Sequence, residues 1–227
     1  MKVSRVLPVL FCLLPVALPA GETDQLPDLA PLPVTITSFG ATFHEGAIYV
    51  YGGRLGSAHT YNRELVNKPL YRLRFSGDAE WEELPSDEPA LGPVLWSHES
   101  GVIRIGGMQP RNAEGEEQDL ASVSFVRRFD LKTEKWRKGP SLPEGPMNGF
   151  GLAAMVDEDD GNLFITGFAG EIHVHDGKDG WSKVGAFDHG RMFARLVDPP
   201  NAPVVVMGGA GKEGRPTALE YAPGDSH

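Results

Sequence analysis

Eight polar side chains stand in the segments of this sequence richest in glycine, proline and charge. Arg54, His59, Tyr61 and Arg63 share one such segment, Arg111 lies in a second, and Asn148, Arg191 and Arg215 occupy others. A guanidinium presents a planar fork of N–H donors that matches a carboxylate through two parallel hydrogen bonds. Arginines gathered on loops are therefore suited to grip the acidic groups of a peptide or a sugar. The same side chains would also serve as ordinary solvated loop charge.

Other groupings carry weaker chemistry. The segment IHVHD places His173 and His175 two residues apart, on one face of a strand, a spacing compatible with a metal. Asp176 and His189 could approach, but no third ligand is evident, so no metal is expected and a solvent-facing strand pair is the simpler account. DEDDG (Asp157 to Gly161) resembles a fragment of a calcium loop without its distal bidentate glutamate, and reads as a charged hairpin turn. GGAGKEG near Gly208 has no Ser or Thr after its lysine and precedes no helical pattern, so it is not a phosphate loop. Trp96 and His98 face either a central channel or the packing between sheets, and periodicity does not choose. No cofactor is expected.

Composition narrows the classes. The chain has 227 residues, 41% hydrophobic and 23% charged, which is globular, and a formal net charge of −10. The mean field repels phosphate, so nucleic acid and anionic membrane are not expected partners. Lys2 and Arg5, the apolar VLPVLFCLLPVAL and the small-residue end ALPA read as a secretory leader cut after Ala20. Residues 1–20 are thus expected to be removed and the protein to be exported, periplasmic or extracellular, with no membrane insertion after leader removal. The single cysteine, Cys12, lies in the leader. The mature chain would hold no disulfide, thiolate metal site or cysteine nucleophile.

The elements that must position these residues come from a repeat. Gly52-Gly53, Gly106-Gly107, Gly167 and Gly208-Gly209 each end an apolar run (AIYVY, GVIRI, NLFIT, PVVVM) and recur about every 50 residues. Trp81, Trp136 and Trp181 follow the first three and recur in steps of 55 and 45 residues. Each unit predicts four antiparallel strands: one before the doublet strand, the doublet strand, a third after a variable loop, and a fourth opened by tryptophan. The glycines permit a sharp exit and close backbone approach, and the tryptophans fill the widening gap between sheets. This pattern resembles the kelch repeat over nearly all of residues 21–227, departing from it at Gly167-Phe168. It implies an all-β kelch-type β-propeller with about four blades, at roughly 36–90, 91–147, 148–190 and 191–227.

The fourth unit ends before a fourth strand, while DQLPDLAPLP near the N-terminus looks like the blade ends EELPSDEPA and RKGPSLPEG. Residues 21–35, centred on Gln25 to Leu29, are expected to complete the last blade and close the ring. Otherwise the blades form an open arc that associates with itself or another chain. Loops after the second and fourth strands share one rim, which the kelch resemblance implies as the ligand face. The function expected is a noncatalytic module binding a protein or glycan there. The alternative is a sugar-acting enzyme resembling a periplasmic sialic acid mutarotase, for which Glu114, Glu116, His189 and Arg191 are the nominees. Copper galactose oxidase chemistry needs a cysteine that the mature chain lacks.

Overall fold

Glycine-bounded runs of β-branched and aromatic residues form strands at each expected place. The computed structural model describes residues 29–75, 79–143, 149–157, 159–178, 180–199, 204–211 and 220–221. Blade 1 is an antiparallel sheet of β1 (Gly40–His44), β2 (Ala47–Tyr51), β3 (Leu70–Arg74) and β4 (Trp81–Leu84), in that order. Blade 2 pairs β5 (Val94–His98) with β6 (Gly101–Ile105). The chain then leaves the sheet as a small hairpin, β7 (Met108–Pro110) and β8 (Leu120–Ser122), and returns as β9 (Val126–Asp130) and β10 (Lys135–Lys138). Blade 3 is β11 (Ala153–Val156), β12 (Leu163–Thr166), β13 (Glu171–His175) and β14 (Trp181–Ala186). Blade 4 begins with β15 (Arg191–Met192), continues through β16 (Arg195–Val197) and β17 (Val205–Met207), and contains β18 (Ala210–Gly211) and β19 (Glu220–Tyr221). Strands β16, β17 and β19 form its sheet, and β15 pairs with β18. The fold is all-β among the described residues, apart from one 3-10 turn, with four-stranded antiparallel sheets in blades 1 to 3 as the repeat predicts and three described strands in the sheet of blade 4.

Each blade packs face to face on the next. Between blades 1 and 2 lie Tyr49, Tyr51, Leu70, Leu95, Val102 and Phe129. Trp96, Ile103, Ile105, Leu163 and Ile165 fill the junction of blades 2 and 3, and Ala153, Ile172, Phe187, Leu196 and Val206 that of blades 3 and 4. Burial of each large side chain stabilises by about 1.5–3 kcal/mol, and these junctions are where most of that burial occurs. The innermost strands touch their neighbours, β1 on β5 and β11 on β16.

The glycine doublets answer to the next blade. Gly52 has φ +70°, and a methyl group there would overlap the carbonyl oxygen of Ala90, in the linker between blades 1 and 2. The neighbouring Gly53 N–H donates to that same carbonyl at 3.0 Å. Gly106 stands in the same relation to Gly149, ahead of blade 3. The doublet is therefore where one blade's inner edge meets the entry to the next.

The tryptophans tie the outer edges. Trp136 Nε1 donates to the Pro85 carbonyl at 2.7 Å and Trp181 Nε1 to the Pro140 carbonyl at 3.1 Å, each reaching the end of the preceding blade. Trp81 Nε1 donates at 2.8 Å to the carbonyl of Ala30, which thus stands where Pro85 and Pro140 stand. Leu32, Val34 and Ile36 follow it and pack on Val50 and Tyr71 of blade 1. The segment expected to complete blade 4, Gln25 to Leu29, lies outside the described residues but for Leu29.

Candidate functional site

Two long loops dominate the rim, one from each of blades 1 and 2, and a single asparagine clips them together. In the first, Asn62 caps the 3-10 turn Arg63–Leu65 by accepting from the Leu65 N–H at 3.0 Å. In the second, Asn112 sits between β7 and β8 and is only 6% exposed. Its Nδ2 donates to the Tyr61 carbonyl at 2.9 Å, and its own carbonyl accepts from the Arg63 N–H at 3.0 Å. Its Oδ1 also accepts from Asp119 N–H at 3.2 Å, which closes the hairpin end. Asn112 drew no notice in the sequence. The only signal was an Asx residue at a turn, and its partners lie 51 residues away.

A cavity opens on each side of this clip. The larger, about 420 Å³, is lined by Arg63, Val66, Pro89, Gln109, Pro110 and Arg111. Gln109 Nε2 donates to the Pro89 carbonyl at 3.0 Å, fastening the groove wall to the linker between blades 1 and 2. Arg63 and Arg111 are exposed, and neither guanidinium has a hydrogen bond or ion pair with a described residue. Their backbones, by contrast, are fixed: Arg111 N–H donates to the Asp119 carbonyl at 2.8 Å. Two free cations on anchored backbone thus face one groove with apolar proline and valine walls. Such a groove suits a carboxylate carried on an apolar frame.

The second cavity, about 300 Å³, is acidic. It is lined by His59, Tyr61, Glu64, Glu114 and Glu116 among others. Glu116 accepts from the Ala113 N–H at 2.6 Å, so part of its charge stabilises the loop. His59 is exposed with φ +62°.

The remaining sequence candidates occupy different positions. Arg54 is 8% exposed, donates to Thr37 Oγ1 at 3.1 Å and to the Gly56 carbonyl at 3.3 Å, and lies 5.6 Å from the Tyr61 ring centroid. It braces the wall of the acidic cavity. Arg191 is 2% exposed and donates at 3.4 Å to the carbonyls of His189 and Gly208, bridging the entry of blade 4 to its own doublet. Asn148 and Arg215 lie outside the described residues.

His173 and His175 share a strand face, as their spacing requires, but that face is dry. They are 4% and 2% exposed, in contrast to the solvent-facing pair expected. The reason is cover from two sides: the His175 ring centroid lies 4.8 Å from Trp181 in its own blade and 5.7 Å from Trp96 in blade 2. Trp96 itself is 1% exposed, which places it in the packing between blades 2 and 3 rather than in the channel. Burial pushes the pKa of His98, His173 and His175 below the usual imidazole value. Among the described residues no group of three His, Cys, Asp or Glu is placed to hold a metal ion.

No protein-family profile matches the chain. Kelch-like protein 40 of Xenopus laevis is 28% identical over 109 residues, which is 48% of this chain and 17% of that protein. Among solved structures, that of YjhT superposes with a TM-score of 0.59 at 17% identity, covering 80% of this chain and 60% of the other. The chain spans less than two thirds of either. Together with the blade geometry, these likenesses establish the fold as a kelch-repeat β-propeller.

Proposed function

We infer that the protein is an exported, noncatalytic binding module that holds a carboxylate-bearing protein or glycan segment in the rim groove between blades 1 and 2. The observation that carries this reading is the pair Arg63 and Arg111, two unengaged guanidiniums from different blades lining one groove of about 420 Å³. Each charge-assisted contact to a carboxylate contributes about 1.5–3 kcal/mol. Arrays of acidic and neutral glycans and peptides, followed by calorimetry on the hits, test it. The double variant Arg63→Ala/Arg111→Ala should lose at least about tenfold in affinity, per arginine contact removed. Equal binding by both proteins would sink the assignment. Export is supported by the leader-like first 20 residues, and N-terminal sequencing of protein recovered from the periplasm or medium should begin at Gly21.

A second reading, a sugar-acting enzyme resembling a sialic acid mutarotase, draws on the acidic cavity. His59, Glu64, Glu114 and Glu116 line it, next to the two arginines, and a histidine with carboxylates is suited to taking the proton from the anomeric hydroxyl while another is delivered to the ring oxygen, so that the ring C–O bond opens and re-forms. Arg191, nominated for the sugar carboxylate, is buried on backbone carbonyls, so Arg63 or Arg111 would take that role. NMR of anomeric exchange across a panel of sugar acids separates the two readings. Acceleration that is lost in Glu114→Gln/Glu116→Gln supports the enzyme, and none leaves the binding module.

A further inference from the structure

Arg104 stands on β6, inside the junction of blades 1 and 2. Leu95 on β5 and Arg127 on β9 lie directly opposite it in the sheet. Val102, two residues earlier, shares a core cluster with Tyr51 of blade 1, and the strand period turns Arg104 the same way. Arg104 is 0% exposed, and its Nε, Nη1 and Nη2 are all buried with no hydrogen-bond partner among the described residues. A guanidinium carries five N–H donors and does not shed its charge in a protein. Burying one without acceptors or a countercharge costs a large part of a domain's whole stability. The polar groups nearby are committed elsewhere. Arg127 donates to Asp87 Oδ2 at 2.9 Å and to Glu88, and those carboxylates keep 30% and 43% of their side-chain surface in water. The Tyr51 hydroxyl donates to the Asp87 carbonyl at 2.5 Å and accepts from the Asp87 N–H at 2.9 Å. The Phe125 ring centroid lies 5.9 Å from the Arg104 guanidinium carbon and 5.0 Å from that of Arg127. Two cations thus border one ring, and carboxylates bond only one of them.

We propose that Arg104 anchors a buried anion site between blades 1 and 2, which takes a monatomic halide such as chloride. A halide supplies both things the side chain is missing, a negative charge and an acceptor for several N–H groups at once. A water molecule supplies lone pairs without the charge. The guanidinium has no exposed edge, which excludes a carboxylate or phosphate carried on a larger molecule and leaves a small free ion. Bound there, the ion joins a strand of blade 2 to the face of blade 1 that carries Tyr51. The site is separate from the rim groove, where Arg63 and Arg111 are exposed, so neither reading depends on the other. An ion that binds only the folded chain raises the folded-to-unfolded ratio about tenfold for each tenfold rise in its concentration above the dissociation constant.

Urea unfolding at fixed ionic strength, with fluoride replaced stepwise by chloride, reads this dependence. The midpoint of the unmodified protein should rise with chloride. Arg104→Met should abolish that rise, while in chloride-free buffer its midpoint equals or exceeds that of the unmodified protein. A chloride dependence of equal size in Arg104→Met overturns the proposal, since the effect then comes from salt in general. Because the variant can fail to fold, a second measurement uses the unmodified protein alone. Crystals grown in bromide should show an anomalous peak within hydrogen-bond distance of the Arg104 guanidinium. Bromide found only at surface residues is an adventitious ion only and overturns the site. So does a water molecule on Arg104 together with a midpoint indifferent to chloride.

Discussion

Arg104 and Arg127 sit opposite each other on adjacent strands of blade 2, and their surroundings give them opposite effects on stability. Arg104 is 0% exposed, and none of its three guanidinium nitrogens has a hydrogen-bond partner among the described residues. Its guanidinium carbon lies 5.9 Å from the ring centroid of Phe125. Burial holds its pKa below the usual arginine value. A buried charge without hydrogen bonds costs folding free energy. Arg127 instead donates to Asp87 Oδ2 at 2.9 Å and to Glu88, pinning the linker between blades 1 and 2. Arg104→Met should therefore leave the urea midpoint unchanged or raise it. Arg127→Met strands two carboxylates and should lower stability by about 1–3 kcal/mol. A loss in Arg104→Met as large as in Arg127→Met would contradict this account. The sequence shows why such contrasts are hidden from it. Arg54, Arg63, Arg111 and Arg191 all read as loop arginines, yet Arg54 and Arg191 find backbone carbonyls or a threonine as partners and Arg63 and Arg111 do not. What separates them is contributed by other segments of the chain.

At the scale of elements, the junction of blades 2 and 3 is the place where pH acts. His98, His173 and His175 lie at or near it, each with its pKa lowered first by burial. Charged groups facing them are Glu99, Lys178, Arg128 and Asp176 for His98, Glu171 and Lys183 for His173, and Asp176 with His98 for His175. A depressed histidine pKa means the unfolded chain takes up protons first as pH falls below about 6.5. Stability should be flat above that value, decline as pH drops toward the folded-state pKa values, and level off below them. Urea midpoints at neutral and mildly acidic pH will show the slope. His175→Phe, which keeps a ring against Trp96 and Trp181, should reduce it. The loop clip makes a second prediction at this scale. Asn112→Ala removes the bond to the Tyr61 carbonyl and should cost about 1 kcal/mol while loosening the groove. Ligand affinity should fall although Arg63 and Arg111 are untouched; unchanged affinity would show that the groove does not depend on the clip. The strand spacing of IHVHD correctly put both histidines on one face. It could not say which face was dry, because Trp96 of another blade decides that.

The whole molecule was most legible where one residue type has one physical use. Doublet glycines mark the inner-edge crossings, the indoles of Trp81, Trp136 and Trp181 mark the outer edges, and about 50 residues separate the repeats, so blade number and strand order follow. The cover on blade 4 was not legible, because Met207 and Val197 are as apolar as the residues on buried faces yet are 40% and 38% exposed. Amide exchange addresses that cover directly. Solenoid-like stacks derive much of each unit's protection from its neighbours. Strand β16 is open on its trailing face, with Val197 38% exposed, whereas β6 and β12 have a neighbouring blade on both faces. Amide exchange should therefore be faster in Arg195–Val197 than in Gly101–Ile105 and Leu163–Thr166. Equal protection in all three segments would mean that β16 is covered on both faces as β6 is.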